Sequence, residues 1–122
     1  MEWNILAGRP VYLQLIEQME MAIVTGEYRA GQRLPGVREL AAEATVNPNT
    51  MQRALQELET RGLLATQRTA GRTVTADETA LSELRAKKAT AFTQQYWQQM
   101  QRLGCSRSEV LSLLQVEAAK SQ

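Results

Sequence analysis

Residues 34–58 read LPGVRELAAEATVNPNTMQRALQEL, and this stretch decides the fold. Leu34-Pro35-Gly36 cannot lie inside a helix, because proline pushes its predecessor out of the α region and glycine punctuates the chain. A helix can start at about Val37. Val37, Leu40, Ala41 and Ala44 then fall three and four apart, which puts them on one buried face. Thr45-Val46 turns the corner, with Val46 plugging it. Asn47 is placed to cap the free N–H of Thr50. Pro48 supplies a preset φ where no N–H is needed. The second helix buries Met51, Ala54, Leu55 and Leu58 and shows Asn49, Gln52, Arg53 and Gln56 on its other side. Amides match the paired donor and acceptor of an adenine edge, and arginine matches guanine or phosphate. The spacing of Leu40, Ala41, Val46, Met51 and Leu55 fits a helix-turn-helix, whose second helix enters the major groove N-terminus first. The competing reading is an ordinary helical hairpin with a solvated face, since any amphipathic pair has a polar side.

A basic hairpin follows directly. Residues 63–75 read LLATQRTAGRTVT, with apolar or β-branched runs at 63–66 and 72–75 and a turn at 69–71. Gly71 is free to take a positive φ there. Arg61, Arg68 and Arg72 fall in this region, and no acid lies between Glu59 and Asp77. A hairpin after a recognition helix makes a winged helix-turn-helix, whose tip can reach a backbone or a narrow minor groove. A plain surface hairpin with arginines kept for solubility is the alternative. A hairpin alone is marginal in water, so either way it must pack on the helices.

At this point the sequence resembles the GntR family of bacterial transcription regulators. The residues that carry the resemblance are Val11-Tyr12, Gln14-Leu15, Gly26, Gly31, Leu34-Pro35, Arg38, Leu40-Ala41, Val46, Asn49-Thr50, Ala54-Leu55, Leu58, Gly62-Leu63, Gly71 and Val74. They spread over roughly the first 75 residues, which makes the match more specific than a lone motif. The short helical tail and the VNPNTMQRAL run resemble the YtrA-type branch. That branch implies no separate ligand-binding domain, dimerisation through the tail and linkage to transporter operons. The resemblance also implies DNA contacts at Arg38, Asn49, Thr50, Gln52 and Arg68. Pro48 stands where many members read a base with arginine, so specificity differs here. Gly36 replaces a usual serine cap, Ala30 a usual proline, and Thr69 and Thr73 a usual glycine and phenylalanine of the wing.

Length and composition set the bounds. A chain of 122 residues holds one domain, or one small domain with an appendage. The expected division is a DNA-binding winged helix-turn-helix over residues 1–75 and a helical dimerisation segment over 76–122. The net charge of +1 does not by itself speak for nucleic acid; the basic character is local. Cys105 is the single cysteine and histidine is absent. That excludes an internal disulfide framework and removes the commonest metal ligand and general base. No metal or other cofactor is expected. Nothing reads as a nucleophile with its base, a phosphate-cradling loop or a carboxylate pair, so an enzyme is not expected. No apolar run reaches membrane-spanning length and no signal pattern opens the chain, which points to the cytoplasm.

The remaining segments support this organisation. Residues 1–8 form an arm carrying Trp3, Ile5 and Leu6, either docked, for instance on a partner subunit, or frayed apart from one tryptophan. Pro10 opens a helix to about Thr25, and its stripe of Val11, Tyr12, Leu15, Ile16, Met19 and Ile23 should back the helix-turn-helix. Beyond Ala76, Asp77 or Thr79 caps a helix to about Leu103, and Ser106 with Glu109 makes a capping box for a last helix to about Ala118. Leu81, Leu84, Phe92, Tyr96, Trp97, Met100, Leu103, Val110, Leu113 and Leu114 are the candidate dimer interface, because two amphipathic helices cannot bury their faces alone. A tail folded back on its own winged domain is the alternative. Cys105 reads as a helix-flank residue rather than a redox sensor.

The resulting expectation is mainly α with a small β-hairpin, acting as a homodimeric, sequence-specific repressor on a palindromic duplex operator. Arg38, Asn49, Thr50, Gln52, Arg53, Arg68 and Arg72 are its candidate DNA contacts. An effector of unidentified chemistry would release it by changing the spacing of the two recognition helices. The runner-up is a winged-helix module that holds another protein and does not read DNA sequence.

Overall fold

The computed structural model describes residues 1–121. Its elements are α1 (Val11–Val24), α2 (Val37–Ala44), α3 (Pro48–Thr60), β1 (Leu64–Gln67), β2 (Gly71–Val74), α4 (Glu78–Arg102) and α5 (Arg107–Lys120). They fall into two compact units that divide between Arg85 and Ala86.

The first unit is built on one core. Leu15, Ile16, Met19 and Ile23 of α1 meet Leu40 and Ala41 of α2, and Met51, Ala54, Leu55 and Leu58 of α3. Leu63, Leu64 and Val74 close it from the hairpin side. The three- and four-residue spacings of the sequence produce this burial. The arm docks on its own α1. Gln14, only 2% exposed, takes the Leu6 N–H at 2.7 Å and donates to the carbonyls of Leu6 (2.8 Å) and Arg9 (3.0 Å). Gln18 pairs both backbone groups of Asn4 in the same way. Helical residues four apart advance about 6 Å and extended residues two apart about 6.6 Å, so the two amides match alternate residues of the arm. Met1, Trp3 and Ile5 are thereby laid against the core.

The corner between α2 and α3 is tight. Thr45 takes φ 58° and ψ 49° there, and the Val46 N–H reaches the Ala41 carbonyl at 3.0 Å. A β-branched residue in the left-handed region is strained. Thr45→Asn is therefore expected to raise the unfolding free energy by about 0.5–1 kcal/mol, since asparagine tolerates this backbone. An unchanged thermal midpoint would show that the threonine sits there without strain. Asn47 then caps α3, its Oδ1 accepting from the Asn49 N–H at 2.8 Å. The sequence assigned this cap to the Thr50 N–H, one residue further on. Gly36 leaves α2 without a side-chain cap, as its lack of a hydroxyl dictates.

The hairpin is antiparallel, with Leu64 opposite Val74 and Gln67 opposite Gly71. The turn is thus residues 68–70, not 69–71, and Gly71 opens β2 with φ 74°. A short third segment, unread in the sequence, lines the far edge of β2. Arg33 bridges Thr73, the Leu34 N–H donates to Arg72 O, and Gly31 and Val74 N–H groups donate to Val74 O and Gln32 O, all at 2.9 Å.

The first unit also runs further than expected. Leu84 is buried in its core and Leu81 packs against that core, so the boundary moves from 75/76 to 85/86. Leu84 is thereby withdrawn from the expected dimer interface, and Leu81 lies beside it.

The second unit contains the rest of α4 and α5. Asp77 caps α4 through the Thr79 and Ala80 N–H groups. Gly104 stops it with φ 83°, and the Ser106–Glu109 capping box starts α5. Of the expected interface residues, Val110 is buried and Tyr96, Trp97 and Met100 are half-buried. Phe92, Leu103, Leu113 and Leu114 are exposed, Leu103 at 76%. Leu111 and Val116 are exposed beside them.

Candidate nucleic-acid interface

The two halves of α3 do different work. Its first turns present Asn49, Arg53 and Gln56 to solvent, with Thr50 and Gln52 half-buried alongside. Its last turn is committed to the protein. Glu59 Oε1 accepts from the Thr66 hydroxyl and from Arg72 Nε, both at 2.6 Å, which fastens the hairpin to α3. Arg61, the residue after α3, donates to Glu20 of α1 at 3.1 Å and to Glu57 at 3.4 Å. Glu20 is 7% exposed, and a carboxylate that buried needs such a partner. The donor-rich end of the helix is thus left available while the other end fixes its orientation.

The candidate contacts sort accordingly. Arg38 lies exposed in the first turn of α2, with no ion pair among the described residues. Arg68 lies exposed in the wing turn, likewise with no ion pair among the described residues. The Arg53 guanidinium lies over the Tyr12 ring, 4.6 Å from its centroid, a contact worth about 0.5–1 kcal/mol at an exposed site. It tethers that side chain without covering it. Arg72 departs from expectation. It is half-buried and held by Glu59, so it anchors the wing rather than facing outward. Arg33, which the sequence did not single out, is exposed on the third segment of the wing sheet. Only the pairing of that segment with β2 reveals it, because GQRL carries no β-branched alternation.

Burial raises the Tyr28 phenol above its ordinary pKa, and the carboxylates of Glu43, Glu27 and Glu39 raise it further. Three carboxylates therefore lie near Tyr28, two of them on α2 itself, while the Arg38 and Arg68 side chains are exposed on α2 and in the wing turn.

A short-cornered helix pair followed by an anchored hairpin is a winged helix-turn-helix. The family described as bacterial regulatory proteins, gntR family, matches residues 11–74 of the chain. The chain belongs to the GntR family. It is 34% identical to the uncharacterized HTH-type transcriptional regulator YhcF of Bacillus subtilis, over 86% of this chain and 87% of that one. It is 39% identical to the HTH-type transcriptional repressor YtrA of the same organism, over 73% and 67% respectively, which supports the branch. A GntR family transcriptional regulator from Listeria monocytogenes has a similar structure, with a TM-score of 0.83, 33% identity, and 91% and 97% of the two chains covered. The DNA-binding domain of AraR, solved in complex with operator ORX1, aligns at a TM-score of 0.52 and 27% identity over 59% of this chain and 89% of that one. This GntR protein is a DNA-binding transcriptional regulator, and its relatives are regulators rather than enzymes. Among the described residues no helix is long and apolar enough to cross a membrane.

Proposed function

We propose that this GntR protein is a homodimeric repressor that occupies a palindromic operator through one winged domain per half-site. The observation that carries the reading is the first half of α3, where Asn49 and Arg53 are exposed and Gln52 is half-exposed, while the end of the helix is locked to α1 and the wing. Asn49, Thr50, Gln52 and Arg53 are assigned to the major groove, and Arg38 and Arg68 to the flanking backbone. The second unit supports the dimer by leaving Phe92, Leu103, Leu113 and Leu114 in solvent, a load of apolar surface that a second copy would cover. Repression follows from occupying a promoter. Release follows from an effector that favours one spacing of the two recognition helices. The likeness to YtrA, an HTH-type transcriptional repressor, supports repression; action in the cytoplasm on a transporter operon belongs to the same reading as what the YtrA-type resemblance implies.

Selection of bound sites from random duplex DNA tests it. The expected product is an inverted repeat with half-site centres about 10 bp, or a multiple of a helical turn, apart. Recovery of single, unrepeated sites would sink the dimer arrangement. Within the selected site, Gln52→Ala is expected to relax discrimination at one base pair per half-site by about 1–3 kcal/mol. Affinities for a panel of single-base variants measure this, and an unaltered preference removes Gln52 from the reading face.

A further inference from the structure

We propose that Arg33 is a second DNA-backbone contact of the wing, filling on the outer side of the sheet the role that the sequence suggested for Arg72. The inference rests on the DNA-binding reading of the winged domain and names a residue that this reading had not included.

Sheet alternation sorts the side chains. Directly opposed residues share a face, and neighbours along a strand alternate. Leu34, Leu64 and Val74 are buried, and Thr66 and Arg72 reach Glu59 on the same inward side. Arg33, Thr73 and Ala65 are opposed across the three segments and therefore share the outward side. Gly71 lies two residues before Thr73 and faces the same way. A Cβ on Gly71 would stand 3.7 Å from Arg33 Nε. The guanidinium thus lies along the outer face towards the wing turn, where Arg68 is exposed.

The electrostatics follow from that placement. Arg9, Arg61 and Arg72 each hold a carboxylate; among the described residues Arg33 holds none. No acid occurs between Glu59 and Asp77 to neutralise the hairpin, and Glu59 itself is spent on the inner face. Arg68 in the turn and Arg33 beside it, neither in an ion pair among the described residues, therefore stand on a wing whose root is fixed on the recognition helix. A phosphodiester strand is the ligand of matching chemistry, because each neutralised phosphate releases condensed counterions.

Affinity is measured by fluorescence anisotropy across a salt series. The probes are a duplex selected from a random pool and a scrambled duplex of equal length. Arg33→Ala is expected to bind both about tenfold more weakly at low salt, as for loss of a charge-assisted contact. It should also flatten the log–log salt slope by about one unit, with an unchanged thermal midpoint. Arg33→Lys should restore the slope. Unchanged affinity and slope in Arg33→Ala, with wild-type binding intact, overturn the proposal alone. So does a loss confined to the selected duplex, or one that comes with a lowered midpoint. Wild-type protein that binds neither duplex overturns the DNA reading itself.

Discussion

Removing residues 86–122 is expected to leave a folded, monomeric winged domain whose affinity for an inverted-repeat operator is lower by about 10²- to 10⁴-fold, while its affinity for an isolated half-site stays the same. The magnitude comes from linkage: two domains on one scaffold make the second binding event intramolecular, and cutting the scaffold forfeits that effective concentration. The place of the cut matters. Ending the chain at residue 77 would also remove Leu81 and Leu84 from the core of the first unit. Emptying a buried leucine site costs about 2–5 kcal/mol, so that truncation would confound folding with assembly. Ending at Arg85 keeps both. Sedimentation velocity reads the mass, and titration of full and half operators reads the affinity. A truncated chain that still sediments as a dimer would move the interface into the winged domain. Leu113→Glu with Leu114→Glu is the milder counterpart. Both leucines are exposed, so the double variant should fold and lose the dimer.

Much of the first unit was legible because its signals are local and agree with one another. The spacing of Leu40, Ala41, Met51, Leu55 and Leu58 places each on the core, and Asn47-Pro48 starts a helix by two independent mechanisms. What escaped was long-range. Nothing in GQRL advertises a strand, since that segment takes its extended form from pairing with β2, some 40 residues later. Glu20 reads as a surface residue until Arg61, 41 positions away, arrives to pair with it. Arg72 and Arg33 are the instructive pair. In sequence Arg72 belongs to the basic hairpin and Arg33 to a loop, but strand alternation together with Glu59 turns the first inward and leaves the second outside. The helical stripe of α4 misled for a related reason: periodicity shows that Leu84 is buried, not which surface buries it.

The division of α3 explains why an exposed reading face can be combined with a fixed orientation. A recognition helix gains specificity only when its side chains are held within small tolerances of the base edges, which a rigid support supplies. Here α1 supports the helix at Arg53 through Tyr12 and just past its end through Glu20 and Arg61. The wing is fixed at Glu59. Apart from Arg53, which rests on Tyr12, the candidate reading residues and the ion-paired anchors use different turns of one helix, and a change at Asn49 or Gln52 should be separable from a change at Glu59.

Glu59→Ala is expected to destabilise the winged domain by about 2 kcal/mol, because it strips a charge-assisted partner from a guanidinium with little access to water. The Arg72 side chain is 16% exposed and that of Glu59 28%, so solvent cannot fully replace the lost bond. The same pair predicts a pH dependence. The Thr66 hydroxyl lowers the Glu59 pKa below its usual 4.5, burial opposes this, and Arg72 lowers it again. A depressed carboxylate stabilises the fold fully above its unfolded pKa and loses that contribution as pH falls through the folded value. The stability difference between wild type and Glu59→Gln should therefore be constant at neutral pH and shrink below about pH 4.5, where the carboxyl becomes as uncharged as the amide. Protection factors of the amides along β1 and β2, which allow for the intrinsic slowing of exchange in acid, should fall over the same interval in the wild type, because the wing is the part that Glu59 holds. Wild-type and Glu59→Gln curves that stay parallel into acid would mean that Arg72 is retained by its neighbours without the charge, and the wing would then owe its orientation to Leu64 and Val74 alone.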